Sequence, residues 1–210
     1  MIRWTNFATI AVCVFVSSCV STKTMRASPN ALGDMSAKSV VPIFRASPSP
    51  ITLITAGNAI DFSQGKLGFQ SERDVSSEAM VKEVVELLQQ RVAIEINEVA
   101  ALYRGDLELE SLVAAYSQYA DYGLDSYSMS KVITYYPFNW QSYKLTYTSL
   151  FRLIDLKNNT IVAQYHCTAE SADEDAMRYE TLTDPDSNQV SRLEVKLASQ
   201  CAKEVVKAIF

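Results

Sequence analysis

The chain has 210 residues, 48% of them hydrophobic and 20% charged, the composition of a folded protein with room for one domain and terminal extensions. Its formal charge is −5 and it has no lysine–arginine cluster, so it offers nothing to a phosphate backbone, and a nucleic-acid partner is excluded. One histidine, His166, rules out a histidine-rich zinc site, and six scattered glycines make no phosphate-cradling loop.

The first segment reads MIRWTNFATIAVCVFVSSC. Arg3 supplies a positive start, and Phe7 to Val16 is an apolar run too short for a spanning helix, which needs ~20 residues. The run closes in Val16-Ser17-Ser18-Cys19. This segment resembles the lipobox of bacterial lipoproteins: an aliphatic residue, two small ones, then the cysteine that is acylated before cleavage. The resemblance implies that residues 1–18 are a signal peptide and that Cys19 becomes the lipid-bearing first residue, palmitate being one acyl group it could carry. In the family an aspartate after that cysteine favours the inner membrane. Val20 stands there instead, which implies an outer-membrane anchor with the domain facing the periplasm. Two or more acyl chains hold a protein stably at a bilayer, at ~0.8 kcal/mol per buried methylene.

Cysteine usage then follows. Cys13 leaves with the signal and Cys19 carries lipid, so Cys167 and Cys201 remain as a pair in an oxidising compartment, where a disulfide is expected. Closing a loop of more than about 30 residues contributes ~3–4 kcal/mol in the chain-entropy account. The alternative, a catalytic thiol at Cys167 beside His166, suffers because neighbours on a strand face opposite ways.

Residues 19–50 are rich in Ser, Pro, Ala and Gly and read as the lipidated cysteine and a flexible tether, ending at Pro48 and Pro50. The apolar patch Val40 to Phe44 interrupts it, either as an edge strand or as a surface for a partner. Residues 51–210 form the single domain. Ile51 to Ala56 and Ala59 to Phe62 read as strands around a Gly57-Asn58 turn. Glu78 starts a long helix capped by Ser76 or Ser77, its stripe Val81, Val84, Val85, Leu88, Val92, Ile96 and Val99 running to a stop at Gly105. Asp106 caps a second helix, with Leu109, Leu112, Val113, Tyr116 and Tyr119 on one face and Gly123 ending it.

Period-two alternation takes over next. Tyr127 to Tyr136, Ser142 to Leu156 and Thr160 to Thr168 are strands joined by Pro137–Trp140 and Lys157–Asn159, connections too short for crossovers, so they form an antiparallel meander. After an acidic loop at 169–187, a last helix starts near Asn188, capped by Asp186 or Ser187. It carries Val190, Leu193, Leu197, Cys201, Val205 and Ala208 along one stripe. Cys201 on that stripe and Cys167 on the inward side of the third strand meet at one interface, which supports the disulfide. The sum is an α+β domain, helices on one face of a mainly antiparallel sheet, in the order β–β–α–α–β–β–β–α. That order, with LFRLIDLKNNTIVAQYHC, resembles small periplasmic α/β domains of outer-membrane accessory lipoproteins, in which a Leu-x-Asp strand turns through a polar loop into the next.

No catalytic set emerges. There is no Gly-x-Ser-x-Gly turn, and the acids Glu170, Asp173, Glu174, Asp175, Glu180, Asp184 and Asp186 lack the order of a calcium loop, so no enzyme, metal or cofactor is expected. The aromatic hairpin stands out. Tyr135, Tyr136, Phe138, Trp140 and Tyr143 crowd it, and such residues are enriched where proteins or sugars bind, although alternate members of a strand also pack into a core. The expectation is an outer-membrane-anchored, non-enzymatic accessory or assembly factor that binds an envelope protein through these aromatics. The alternative is a glycan- or peptidoglycan-binding envelope protein using the same residues, with acids from 170–186 allowing hydrolysis.

Overall fold

A computed structural model describes residues 24–28, 31–46, 51–55, 58–61, 73–99, 102–184 and 187–210. The signal segment, the lipobox and Cys19 lie outside the described residues. In chain order come α1 (Ala31–Met35), β1 (Ser39–Ile43), β2 (Ile51–Thr55), β3 (Asn58–Asp61) and α2 (Val75–Gln89). Then follow β4 (Glu95–Ile96), α3 (Leu109–Tyr116), β5 (Tyr122–Tyr136), β6 (Asn139–Asp155) and β7 (Thr160–Glu170). A single 3₁₀ turn at Asp173–Asp175, β8 (Met177–Arg178), α4 (Tyr179–Thr183) and α5 (Gln189–Ile209) complete the chain.

The antiparallel meander β5–β6–β7 forms one half of the sheet, with β7 at its edge, and its alternation builds it as the sequence indicates. The β6–β7 turn is closed by Asp155, whose Oδ1 accepts the Lys157 and Asn158 amides at 3.0 and 2.9 Å, while Asn159 adopts φ 53°, a conformation asparagine tolerates. Along the other side of β5 lie β1 and β2, end to end and both parallel to it: Val40 pairs with Tyr122, and Ile51 with Lys131. Outside them β4 runs parallel to β1 and β3 antiparallel to β2, while β8 continues the β7 side at Ser142–Tyr143. The sheet is therefore open and mixed, though largely antiparallel.

Four sequence expectations change. The tether does not extend to residue 50. Val40, Val41 and Ile43 are buried in β1, and Met25 exchanges backbone hydrogen bonds with Gln164 on β7, so the fold reaches back past residue 30. The long helix stops at Gln89 rather than Gly105. Its N-cap is Asp74, which accepts the Ser77 amide at 3.2 Å; Asp caps as well as Ser does. Beyond Gln90 the apolar residues continue at a helical spacing, yet Ile96 pairs with Val40 instead, because a β-branched stretch gains more by completing the sheet. Gly123 lies inside β5, where a side chain would come within 3.1 Å of Ile43, and α3 has already ended at Tyr116.

Helices also cover both faces. α2 and α5 pack on one face over Leu53, Leu124, Ile133, Leu145, Phe151 and Leu153. α3 and the segment before it cover part of the other, where Leu112, Tyr116 and Tyr103 meet Val41, Ile43, Ile154 and Leu156. The order with β1 and the short elements is thus longer than the expected β–β–α–α–β–β–β–α. No helix among the described residues is long and apolar enough to cross a membrane.

Candidate functional site: an aromatic hairpin tip above two buried ion clusters

The five hairpin aromatics divide by exposure. Phe138 is 102% exposed and Trp140 64%, and both sit at the turn where β5 meets β6. Trp140 donates its Nε1 proton to the Pro137 carbonyl at 2.9 Å, which pins the indole across the turn and leaves its face to solvent. Tyr135 lies one strand over, its ring centroid 6.0 Å from that of Trp140, and packs partly against the core. Tyr136 points to the other face beneath Lys144, whose Nζ lies 5.9 Å from the ring centroid. Burial, then the Asp173 carboxylate, pushes the Tyr136 phenol above its ordinary pKa. Tyr143 is a core residue at 6% exposure, with Met177 paired beside it and burial raising its phenol. The candidate surface thus contracts to Phe138 and Trp140, with Tyr135 as their support.

Two clusters that sequence reasoning missed lie under opposite faces of β5. On the α2–α5 face, Asp74 accepts from Ser76 Oγ and Ser128 Oγ at 2.9 Å and from Lys131 Nζ at 3.3 Å, and the same ammonium lies 3.4 Å from Glu194 Oε1. Asp74, Lys131 and Glu194 are all at or below 5% exposure. Burial dominates at Glu194 and raises its pKa, Lys131 opposing. Tyr147 beside Ser128 is fully buried, and its phenol is also raised, again by burial first. On the other face Asp125, fully buried, joins two guanidiniums: Arg45 Nε donates to Oδ1 at 2.9 Å, and Arg152 Nη2 to Oδ2 at 2.6 Å. Arg152 Nη1 caps the Leu107 carbonyl at 2.9 Å, and Arg45 lies over the rings of Tyr103 and Tyr127 at 5.3 and 5.5 Å. Carbonyls and aromatic faces offset the second positive charge. Both clusters are sealed, so they join elements and present no reacting group to a substrate.

Cys167 and Cys201 are joined in a disulfide with Cα atoms 5.7 Å apart, fastening β7 to α5. His166, next along β7, faces away from that bond, its Nδ1 buried without a hydrogen-bond partner among protein atoms. Of the acidic stretch, Glu170 pairs with Lys144 and Asp175 with Lys196, while Asp186 lies outside the described residues. Among the described residues no three His, Cys, Asp or Glu side chains converge as metal ligands would.

No family model matches the chain, and no curated protein matches it. Solved structures align with the chain at low identity and low TM-score. A hypothetical protein from Chlamydia trachomatis is 11% identical, with 82% of this chain and 98% of that one aligned and a TM-score of 0.40. A protein of unknown function from Xanthomonas campestris is 15% identical over 82% of this chain and 83% of that one, TM-score 0.39. A PelC dodecamer from Paraburkholderia phytofirmans is 15% identical over 85% and 91%, TM-score 0.34.

Proposed function

We propose that the chain is a lipid-anchored envelope protein that acts as a non-enzymatic accessory or assembly factor, docking an envelope protein through the β5–β6 hairpin tip. In this reading residues 1–18 direct export, Cys19 carries the lipid at the outer membrane, and the domain faces the periplasm. The carrying observation is the pair Phe138 and Trp140: two large aromatic side chains left in solvent at the end of a hairpin whose base is buried and hydrogen-bonded. Exposed Trp and Phe on a rigid support lose little conformational freedom on binding and supply the anchors that dominate protein interfaces. The disulfide suits an oxidising compartment and supports the same address.

The test is chemical crosslinking in intact cells, followed by recovery of the protein and identification of what accompanies it. Recovery of one envelope protein with wild type, lost with Cys19→Ser and with Phe138→Ala/Trp140→Ala, is the expected result. Failure of the tip variant to change the recovered partner removes the tip from the interface. Binding of purified glycan strands by wild type and not by the tip variant moves the reading to a glycan-binding protein.

A further inference from the structure

We infer that the β7 edge of the sheet rests on the bilayer, so that the aromatic tip projects along the membrane toward a neighbour that is itself held there. The inference rests on the lipid anchor proposed at Cys19. Its basis is where the chain joins the fold. Met25 exchanges two backbone hydrogen bonds with Gln164 at 2.9 and 2.8 Å, so the N-terminal segment is fixed to the outer side of β7 before any other element begins. Fully extended, the chain from Cys19 to Met25 spans at most ~20 Å. A lipid on Cys19 therefore holds β7 close to the headgroups. Residues 19–50 do not act as a long leash, because β1 is already in the core.

Charge points the same way. The protein is acidic overall, at −5, yet between Cys19 and Gly33 the charged residues are Lys23 and Arg26, both positive. Arg26 is exposed beside the Met25–Gln164 bridge. A basic pair next to the anchor is attracted to anionic headgroups within a Debye length.

Orientation of the tip follows from sheet geometry. β7 pairs with β6 from Thr146 to Asp155, whereas the hairpin runs on past Ser142 to its turn at Pro137–Phe138. With the β7 edge down, the strands lie along the membrane and β6 and β5 stand one and two spacings above it, ~5–10 Å. Phe138 and Trp140 then point sideways near headgroup height. Their partner is a protein anchored in or on the same membrane.

The test uses the full chain, purified with its acyl group and placed on vesicles of phosphatidylethanolamine with a minority of phosphatidylglycerol. A photoreactive residue replaces Thr168, exposed on β7, or Glu95, exposed on β4 at the far edge. The expected result is on the order of tenfold more lipid adduct at Thr168, since β4 stands four strand spacings, ~19 Å, further out. Equal adducts, an excess at Glu95, or capture of a second copy at Thr168 overturns the orientation. A Gly-Ser spacer of about 20 residues after Val20 is expected to keep vesicle binding and erase the Thr168 preference. Vesicle binding that survives Cys19→Ser refutes the anchor itself. Binding that needs Cys19 without lipid adducts at Thr168 refutes the orientation alone.

Discussion

Lys131 Nζ lies 3.4 Å from Glu194 Oε1 in the core, and it points there because the β5–β6 register slips between Ser128 and Ser130. Regular alternation would put Lys131 opposite Ser126 and Ser128, toward the other face. The slip adds one residue at Met129, which is 45% exposed, and turns the lysine inward between the α2 N-cap and α5. One ammonium then serves two carboxylates, Asp74 and Glu194.

Removing that ammonium is expected to be costly. Lys131→Met leaves both acids buried without their cation, a loss of about 3–5 kcal/mol. Urea unfolding of the two proteins checks it. A change under 1 kcal/mol would show that the acids are neutralised another way.

Glu194→Gln should behave differently. Burial raises the folded-state pKa of Glu194 above its ordinary value of 4.5, so the folded state holds this proton more tightly than the unfolded chain does. Its contribution is complete below the unfolded pKa and is lost as pH rises through the folded one. Glutamine mimics the protonated form throughout. The variant is therefore expected to match wild type near pH 4 and to equal or exceed it at pH 8, read from urea midpoints across that range. A variant less stable at pH 8 than at pH 4, relative to wild type, contradicts the sign.

The cluster on the opposite face gives a sharper loss. Asp125→Asn keeps the shape but removes the charge that Arg45 and Arg152 share. Two guanidiniums with side chains at 6% and 7% exposure then face each other, at a cost of about 3–5 kcal/mol and a fall in Tm on the order of 10 °C. Calorimetry measures this directly.

Reduction of Cys167–Cys201 releases α5 from β7. The sequence separation of 34 makes the bond worth about 3–4 kcal/mol through the unfolded chain. The double variant Cys167→Ala/Cys201→Ala is expected to fold still, because Leu193, Leu197, Val205 and Val206 remain packed against the sheet, with a lower urea midpoint. Loss of all cooperative unfolding would mean that the covalent tie is essential to the fold.

What could be read from the residues was whatever depends on local pattern. The meander followed from alternation and from turn chemistry at Asp155 and Asn159, and α5 from one apolar stripe that also carried Cys201. What escaped depends on distant neighbours. Val92, Ile96 and Val99 keep a helical spacing, and only the edge of β1 makes Ile96 a strand residue. The patch Val40 to Phe44 was legible as a strand or a partner surface, but only its pairing with β5 decides for a strand, and it lies inside the sheet between β5 and β4 and not at an edge. Lys131 and Asp74 are far apart in sequence, and a single bulge brings them together, so no periodicity could place either in a charged cluster. For the hairpin, alternation said that some aromatics would be core; it could not say that Tyr143 would be one, because β8 and Tyr179 cover it from a later part of the chain.

That division of the aromatics supplies the last prediction. Phe138→Ala/Trp140→Ala removes exposed side chains whose contacts with their own protein are one hydrogen bond to Pro137 and the Tyr135 ring, so stability should stay within about 1 kcal/mol of wild type. Tyr143→Ala instead opens the core beside Met177 and should cost about 3–5 kcal/mol. If the tip is the docking element, partner recovery falls with the first variant, where two interface anchors at about 2 kcal/mol or more each are gone. With Tyr143→Ala, recovery should fall only as far as the folded fraction does. Measuring unfolding and crosslinked yield on the same two samples separates a binding surface from a merely weakened fold. Equal yield from the tip variant and wild type would leave Phe138 and Trp140 without the role assigned to them.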